Sequence, residues 1–148
     1  MNNRKFHTAL FMTYCALMLW LLFDRPGYVE GIPYRVQVAQ HINLIPFRTL
    51  RLFAGLLDSV RPEYVRAAVI NLGGNIFMFI PLGFLLPRVF SGCTSLLRIL
   101  ATTAAIITVV EIIQLLTLVG YCDIDDLILN VLGSGLGYGL HKMTKPDC

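Results

Sequence analysis

The stretch "LRILATTAAIITVVEIIQLLTLV", Leu97 to Val119, decides the fold class of this chain. It is rich in Ile, Leu, Val and Thr, and beyond Arg98 its only charged residue is Glu111. A helix needs about 20 predominantly apolar residues to cross a bilayer, and this run exceeds that length. The stretch therefore predicts a transmembrane helix with an ionisable side chain inside it.

The composition of the whole chain points the same way. Of its 148 residues, 56% are hydrophobic and 14% charged, and the mean hydropathy is +0.69. Soluble domains have about 25% charged residues. The net charge of +3 is small and spread along the chain, so we expect no nucleic-acid partner. The length predicts a single membrane domain over residues 1–148.

Three further apolar runs predict transmembrane helices, over residues 6–23, 67–86 and 124–141. The first follows Arg4 and Lys5 as a signal peptide would, but it is too long and lacks a small-residue cleavage site, so we interpret it as retained. The second contains Pro81, which predicts a kink, and we expect it to stop at Pro87. The last is the least apolar, and a re-entrant segment is the alternative. The prediction is an all-α integral membrane protein, a bundle of about four transmembrane helices.

The loop between the first two runs, residues 24–66, contains "HINLIPFRTLRLFAGLLDSV". Leu52, Leu56 and Leu57 recur there at helical spacing beside Arg48 and Arg51. This pattern is typical of an amphipathic helix at the membrane interface. A surface helix packed on the bundle would show the same pattern, so both interpretations stay open.

The orientation rests on the distribution of basic residues. The 12 Lys and Arg residues divide equally between the two sides of the predicted topology. Because Arg4 and Lys5 precede the first helix and the long loop also carries acidic residues, we predict that both termini are cytoplasmic. The four cysteines, Cys15, Cys93, Cys122 and Cys148, lie far apart, and we expect free thiols.

This topology brings the polar residues of three helices to one end of the bundle. The second and last predicted helices begin there and the third ends there, and residues three or four apart share a helix face. An ionisable residue inside the membrane is a candidate for a functional site, and here that residue is Glu111. The converging side chains are Asn71, Asn75, Glu111, Gln114, Asp123, Asp126 and Asn130.

Structural roles could explain part of this pattern. Asp123 suits a helix N-cap, with Asp125 and Asp126 in the first turn, where the helix dipole favours acids. The amides could join helices by hydrogen bonds, and the GxxxG-spaced pairs Gly133/Gly137 and Gly135/Gly139 favour close helix packing. Capping does not explain Glu111, which lies in another helix at the matching depth.

The chemistry of the cluster is restricted. Its oxygen ligands would suit Mg²⁺ or Ca²⁺, but no histidine falls in it, and we predict no metal site and no cofactor. No Ser–His or Cys–His signature is visible, and no partner base is evident for Cys122. If the site is catalytic, Glu111 and Asp126 are the candidate acid/base pair.

An ordered set of motifs resembles the VanZ-like family of bacterial membrane proteins. The motifs are "NLIPF" at 43–47, "NLGGNIFMFIPLGFLLP" at 71–87, "EIIQ" at 111–114 and "DIDDLILNVLGSGLG" at 123–137, and the resemblance covers roughly residues 40–140. Many members have an arginine just before the acidic motif, where this chain reads "GYCD". The resemblance implies a multi-pass protein of the bacterial cytoplasmic membrane whose namesake gives low-level resistance to the lipoglycopeptide teicoplanin.

The matching motif positions in this chain include Asn43, Pro46, Pro81 and Gly83 beside the polar residues named above. We expect the ligand-binding set to be Asn43, Asn71, Asn75, Glu111, Gln114, Asp123, Asp126 and Asn130.

Three functions remain open. The first is binding of an amphiphile near the outer face, either a lipoglycopeptide antibiotic or a cell-envelope lipid such as a cell-wall lipid precursor. The second is a membrane enzyme that acts on a lipid-linked substrate, and the third is a purely structural helix bundle. The sequence favours binding, with membrane lipids as partners, and leaves the oligomeric state undetermined.

Overall fold

The computed structural model describes residues 3–24, 27–92 and 95–144, and in these the regular secondary structure is helical apart from one short strand pair. Three helices are long and apolar enough to cross a membrane, over Arg4–Phe23, Pro62–Val89 and Leu96–Thr117. The predicted all-α membrane fold is confirmed. The elements in chain order are α1 (Asn3–Phe23), α2 (Tyr34–Gln40), β1 (Ile42–Asn43), α3 (Arg48–Leu56), α4 (Pro62–Val89), α5 (Leu96–Thr117), β2 (Cys122–Asp123) and α6 (Ile124–Thr144).

Helix α6 is the least apolar of the four long helices. It has 21 residues, but it carries Asp125 and Asp126 in its first turn and His141 and Lys142 in its last. It does not reach the apolarity of the three candidate spans of the described chain, so a fourth crossing stays a prediction. Its bounds agree with the predicted start at residue 124.

The predicted bounds of α4 are wrong at both ends. The helix begins at Pro62, five residues before the predicted start at 67, because proline fits the first helical position and Glu63 suits the positive end of the helix dipole. It continues through Pro81 and past Pro87 to Val89. Pro87 removes only its own N–H donor, and Phe90 N–H still bonds to the Leu86 carbonyl at 2.9 Å, so the predicted stop at Pro87 does not occur.

Helices α4 and α6 run parallel and make the most extensive contact in the bundle. Neighbouring pairs advance together along both helices: Gly133 with Ile76, Gly137 with Ile80, His141 with Phe84, and Thr144 with Arg88. A Cβ at Gly133 or Gly137 would overlap the backbone of α4, and one at Gly83 would overlap the Ser134 carbonyl. The predicted packing role of Gly133 and Gly137 is confirmed.

The second predicted glycine pair does not take part in this contact. A Cβ at Gly135 would meet only the Leu100 side chain at 3.4 Å, and one at Gly139 would meet nothing within 4 Å. These two glycines lie on another face of α6, because an offset of two residues turns a side chain by about 200° around a helix of 3.6 residues per turn. For them the packing prediction was wrong.

Helices α1 and α5 run in the opposite direction to α4 and α6. Phe11 of α1 contacts Phe90 after α4, while Leu22, near the end of α1, accepts a 2.8 Å hydrogen bond from Gln114 of α5 through its backbone carbonyl. Thr103 and Ser134 share a buried 2.7 Å hydrogen bond between α5 and α6. We call the end of the bundle where α1 and α5 finish and α4 and α6 begin the polar end.

The loop before α4 covers the polar end with structure that the sequence analysis missed. Strand β1 pairs in parallel with β2, Ile42 opposite Cys122 and Asn43 opposite Asp123, and helix α2 precedes it. The predicted amphipathic helix forms as α3, which packs on α4 and has no buried residue. The packing on α4 supports the surface-helix interpretation, while Leu52 keeps 63% of its surface exposed, as an interfacial helix would.

Candidate functional site

A cavity of about 240 Å³ lies among the four long helices near the polar end. Six of the eight predicted site residues line it: Asn71 and Asn75 from α4, Glu111 and Gln114 from α5, and Asp126 and Asn130 from α6. Helical spacing of three and four residues, together with the alternating helix directions, accounts for this convergence. Apolar walls and the loop residues Gly120 and Tyr121 complete the lining.

Two of these polar side chains join the helices to one another. Asn75 Nδ2 donates to Asp126 Oδ1 at 2.6 Å, which links α4 to α6. Gln114 Nε2 donates to the Leu22 carbonyl at 2.8 Å, which links α5 to α1. Interhelical bonds of this kind support the structural interpretation of these amides. These two bonds therefore tie together helices that form the walls of the cavity.

Other polar atoms of the same walls are buried without a hydrogen-bond partner in the described residues. They are Asn71 Oδ1, Glu111 Oε1 and Asn130 Oδ1. Glu111 and Asn130 are only 7% and 6% exposed. An unsatisfied buried polar group costs about 1–3 kcal/mol, so three of them around one cavity are unusual for a purely structural bundle. They are explained if the cavity receives a group that donates hydrogen bonds.

The remaining two predicted residues, Asn43 and Asp123, lie outside these walls and bond to each other. Asp123 Oδ1 accepts from Asn43 Nδ2 at 3.1 Å and from the backbone N–H of Asp125 at 2.9 Å. Its other oxygen accepts from the Thr49 hydroxyl at 2.5 Å. The N-cap role of Asp123 is thus confirmed. The same contacts also show that it anchors the loop before α4.

Asp125 has a role that sequence reasoning did not assign. Its side chain is fully buried and accepts from the backbone N–H groups of Phe47 at 2.6 Å and Leu50 at 3.0 Å. These N–H groups lie at the start of α3, where they have no partner within the helix. Phe47 takes a left-handed conformation there, with φ of 64°. The surplus of aspartates over what one helix start needs was the available signal. The acidic motif therefore caps two helices.

Cys122 lies beside the cavity with its thiol 3.9 Å from Glu111 Oε2, to which it donates. The structure thus supplies the neighbouring base that the sequence did not reveal. Burial, and then the charges of Glu111 and Asp123, raise the pKa of Cys122 above its ordinary value. A thiol in such surroundings stays protonated near neutral pH and is a weak nucleophile.

Two of the four cysteines lie in the described part of the chain. Cys15 and Cys122 are free thiols, and Cys93 and Cys148 lie outside the described residues. In residues 3–24, 27–92 and 95–144 no group of three or more His, Cys, Asp or Glu side chains has the arrangement to hold a metal ion.

An apolar cleft of about 260 Å³ adjoins the cavity between α1, α4 and α5. Its walls include Phe11, Met18, Leu82 and Ile106, with Tyr14 and Cys15 as the most polar members. The Tyr14 hydroxyl is already used, since it donates to the Met78 carbonyl at 2.9 Å. The cleft and the polar cavity have four wall residues in common: Leu22, Phe79, Ile107 and Val110.

A helical membrane protein with a polar cavity between its helices and an apolar cleft beside it is the class that this fold and site define. The chain belongs to the VanZ/LLP1 family, whose model matches residues 11–145. This match is wider than the motifs alone suggested, and it includes most of α1. Comparisons with the curated proteins and with the solved structures give no significant match.

Proposed function

We propose that this VanZ/LLP1 family protein binds an amphiphile. The polar head group of the amphiphile occupies the cavity bounded by Asn71, Glu111 and Asn130. The acyl or isoprenoid chain of the amphiphile lies in the adjoining apolar cleft. The observation that carries the proposal is that both spaces share Leu22, Phe79, Ile107 and Val110 as walls. Pockets of this kind, mostly apolar with a few convergent polar groups, are the usual form of small-molecule sites.

The VanZ-like resemblance narrows the biological setting of this proposal. It supports a place in the bacterial cytoplasmic membrane and a contribution to teicoplanin resistance. The ligand is then the lipoglycopeptide itself or a cell-envelope lipid, bound near the outer face. On the predicted topology, with both termini cytoplasmic, the polar end lies at the outer face.

The second candidate function is catalysis on a lipid-linked substrate. It is favoured by the presence of two carboxyl groups, Glu111 and Asp126, on the walls of one cavity, which is what acid/base chemistry requires. Two contacts weigh against it. Asp126 already accepts a hydrogen bond from Asn75, and the Cys122 thiol beside Glu111 is held in its protonated form. We therefore favour binding without turnover.

The test uses the purified full chain in liposomes with teicoplanin or a lipid-linked wall precursor, followed by mass spectrometry. Binding predicts saturation stoichiometric with protein and an unchanged ligand mass. Covalent product exceeding one equivalent, lost in both Glu111→Gln and Asp126→Asn, would instead establish the enzyme.

A cellular experiment separates a site from a structural bundle. Glu111→Gln keeps the shape of the side chain and removes its charge, so the protein should reach normal abundance and lose its contribution to teicoplanin resistance. Glu63→Gln, at an exposed acid in the first turn of α4, is the matched control and should behave as wild type. If Glu111→Gln retains the phenotype at normal abundance, the polar residues serve packing alone.

A further inference from the structure

We infer that the head group bound in the cavity carries hydrogen-bond donors and no negative charge, as a sugar hydroxyl or an ammonium group does. This inference rests on the proposed amphiphile-binding function and names the chemical class of its ligand. It follows from the charges of the walls, the unpaired atoms on them, and the size of the space.

The described cavity walls carry acidic side chains and no basic ones. Glu111 and Asp126 are both acidic, and among the described residues that line the cavity none is Lys, Arg or His. Phosphate recognition in proteins relies on Arg, Lys or a helix N-terminus. The helix N-terminus beside this cavity, that of α6, is already capped by Asp123 and carries Asp125 and Asp126 in its first turn. A phosphate placed between these acidic groups would meet no compensating cation on the described walls, and any ionised carboxyl group there would repel it strongly at low dielectric. An anionic lipid head is therefore disfavoured.

The unpaired atoms on these walls are all acceptors. Asn71 Oδ1, Glu111 Oε1 and Asn130 Oδ1 are buried without partners in the described chain, and they come from three different helices. An acceptor is satisfied only by a donor. A phosphate oxygen offers no donor once it is ionised, whereas a hydroxyl offers one and an ammonium group offers three. The arrangement therefore selects a donor on each of three sides.

The cavity is large enough for a head group of several heavy atoms. Its volume of about 240 Å³ is several times the share of one water molecule, which is about 30 Å³ in the liquid. The apolar cleft shares four wall residues with the cavity, so a chain attached to the donor group would lie against the same residues. A single-sugar glycolipid and a long-chain amine both fit this description, and an anionic wall-lipid precursor does not.

The experiment compares three ligands with one chain length: dodecyl glucoside, dodecylamine and dodecyl phosphate. The full-length protein is placed in phosphatidylcholine nanodiscs, and occupancy is titrated by native mass spectrometry. We expect the glucoside or the amine to bind at least ten-fold more tightly than the phosphate. A preference for the amine identifies an ammonium site, and a preference for the glucoside identifies a sugar site.

Variants test whether the discrimination arises in the cavity. Glu111→Gln should weaken the amine about ten-fold or more and narrow the gap between amine and phosphate, while Glu63→Gln leaves both unchanged. Asn71→Asp adds a wall carboxylate and should widen that gap, which keeps the test available if Glu111→Gln does not fold. Equal or tighter binding of dodecyl phosphate to the wild type overturns the inference but leaves amphiphile binding intact. Failure of all three ligands to bind overturns the proposed function as well.

Discussion

Asn75 of α4 donates a 2.6 Å hydrogen bond to Asp126 of α6, between the two helices whose backbones also meet at Gly133 and Gly137. The pair therefore lies at the polar end of a close, parallel helix contact. It connects the architecture of the bundle to the wall of the proposed binding cavity, because both residues line that cavity.

The Asn75–Asp126 pair should be energetically coupled. We expect a double-mutant cycle with Asn75→Ala and Asp126→Ala to give a coupling of about 1 kcal/mol, within the range seen for interhelical hydrogen bonds in membranes. Reversible unfolding in mixed detergent micelles measures it. The control cycle combines Asn75→Ala with Thr8→Ala, at the other end of the bundle, and should be additive within about 0.5 kcal/mol. Additivity in the first cycle would show that Asn75 and Asp126 are not energetically coupled.

The glycines of α6 should differ sharply in their tolerance of a methyl group. Gly133→Ala and Gly137→Ala place a Cβ inside the backbone of α4, so each should lower stability by several kcal/mol or prevent folding. Gly139→Ala meets nothing within 4 Å and should be neutral or stabilising by up to about 1 kcal/mol, since alanine favours the helix. Thermal unfolding in detergent compares the three. Equal effects at Gly137 and Gly139 would contradict the described helix contact.

Asp125 should control the loop before α4. Asp125→Ala removes the acceptor of two backbone N–H groups at the start of α3, and the lost cap should cost about 2 kcal/mol. Limited proteolysis should then cut residues 41–57 faster while the long helices stay protected. Asp58→Ala, at an exposed acid just after α3, is the control. Unchanged proteolysis in Asp125→Ala would show that α3 is held by other contacts.

The Cys122 thiol should react slowly with alkylating reagents at neutral pH. Its pKa is raised by burial first and then by Glu111 and Asp123, so the reactive thiolate is scarcer at a given pH than for an unperturbed thiol. The pH–rate profile of a variant with Cys122 as its single cysteine should therefore rise at higher pH than that of the denatured chain. Glu111→Gln removes one negative charge and should move the profile to lower pH. A shift to higher pH would be inconsistent with the described contact.

Labelling of the Cys122 thiol also tests the orientation of the protein in the membrane. With both termini cytoplasmic, Cys122 lies toward the outer surface. A membrane-impermeant maleimide should then label it in intact cells at a high reagent concentration and a long incubation time. Cys93 and Cys148 should be labelled only after lysis. Single-cysteine variants keep the three signals separate. Labelling of Cys93 alone in intact cells would reverse the topology and place the polar end at the cytoplasmic face.

Periodicity within helices predicted much of this structure. The apolar runs located α1, α5 and α6 to within a few residues. Within each helix, spacings of three and four residues placed the polar side chains on one face, among them Asn71, Glu111 and Asn130. The alternation of helix direction then brought them to one depth. These signals are local, and each can be read within a single segment of the chain.

Contacts between distant segments could not be predicted in this way. Asp125 bonds to Phe47 across 78 positions and Asn43 to Asp123 across 80, and neither separation leaves a periodic trace. The two-residue strands are too short to show an alternating pattern. Asn43 and Asp123 were predicted as ligand residues and lie outside the cavity wall, where Asn43 Nδ2 donates to Asp123 while Asn43 Oδ1 is buried without a partner among the described residues.

The parallel arrangement of α4 and α6 bears on how the chain enters the membrane. Two neighbouring helices that run in one direction can meet only after the helix between them, α5, has returned across the bilayer. Until then the groove of α4 at Gly83 faces lipid, and Asn75 lacks Asp126. Helix α6 falls short of the apolarity of the three candidate spans, so we expect its insertion to depend on docking into that groove. A chain that ends after α5 should therefore leave the groove unfilled and be recognised by membrane quality control.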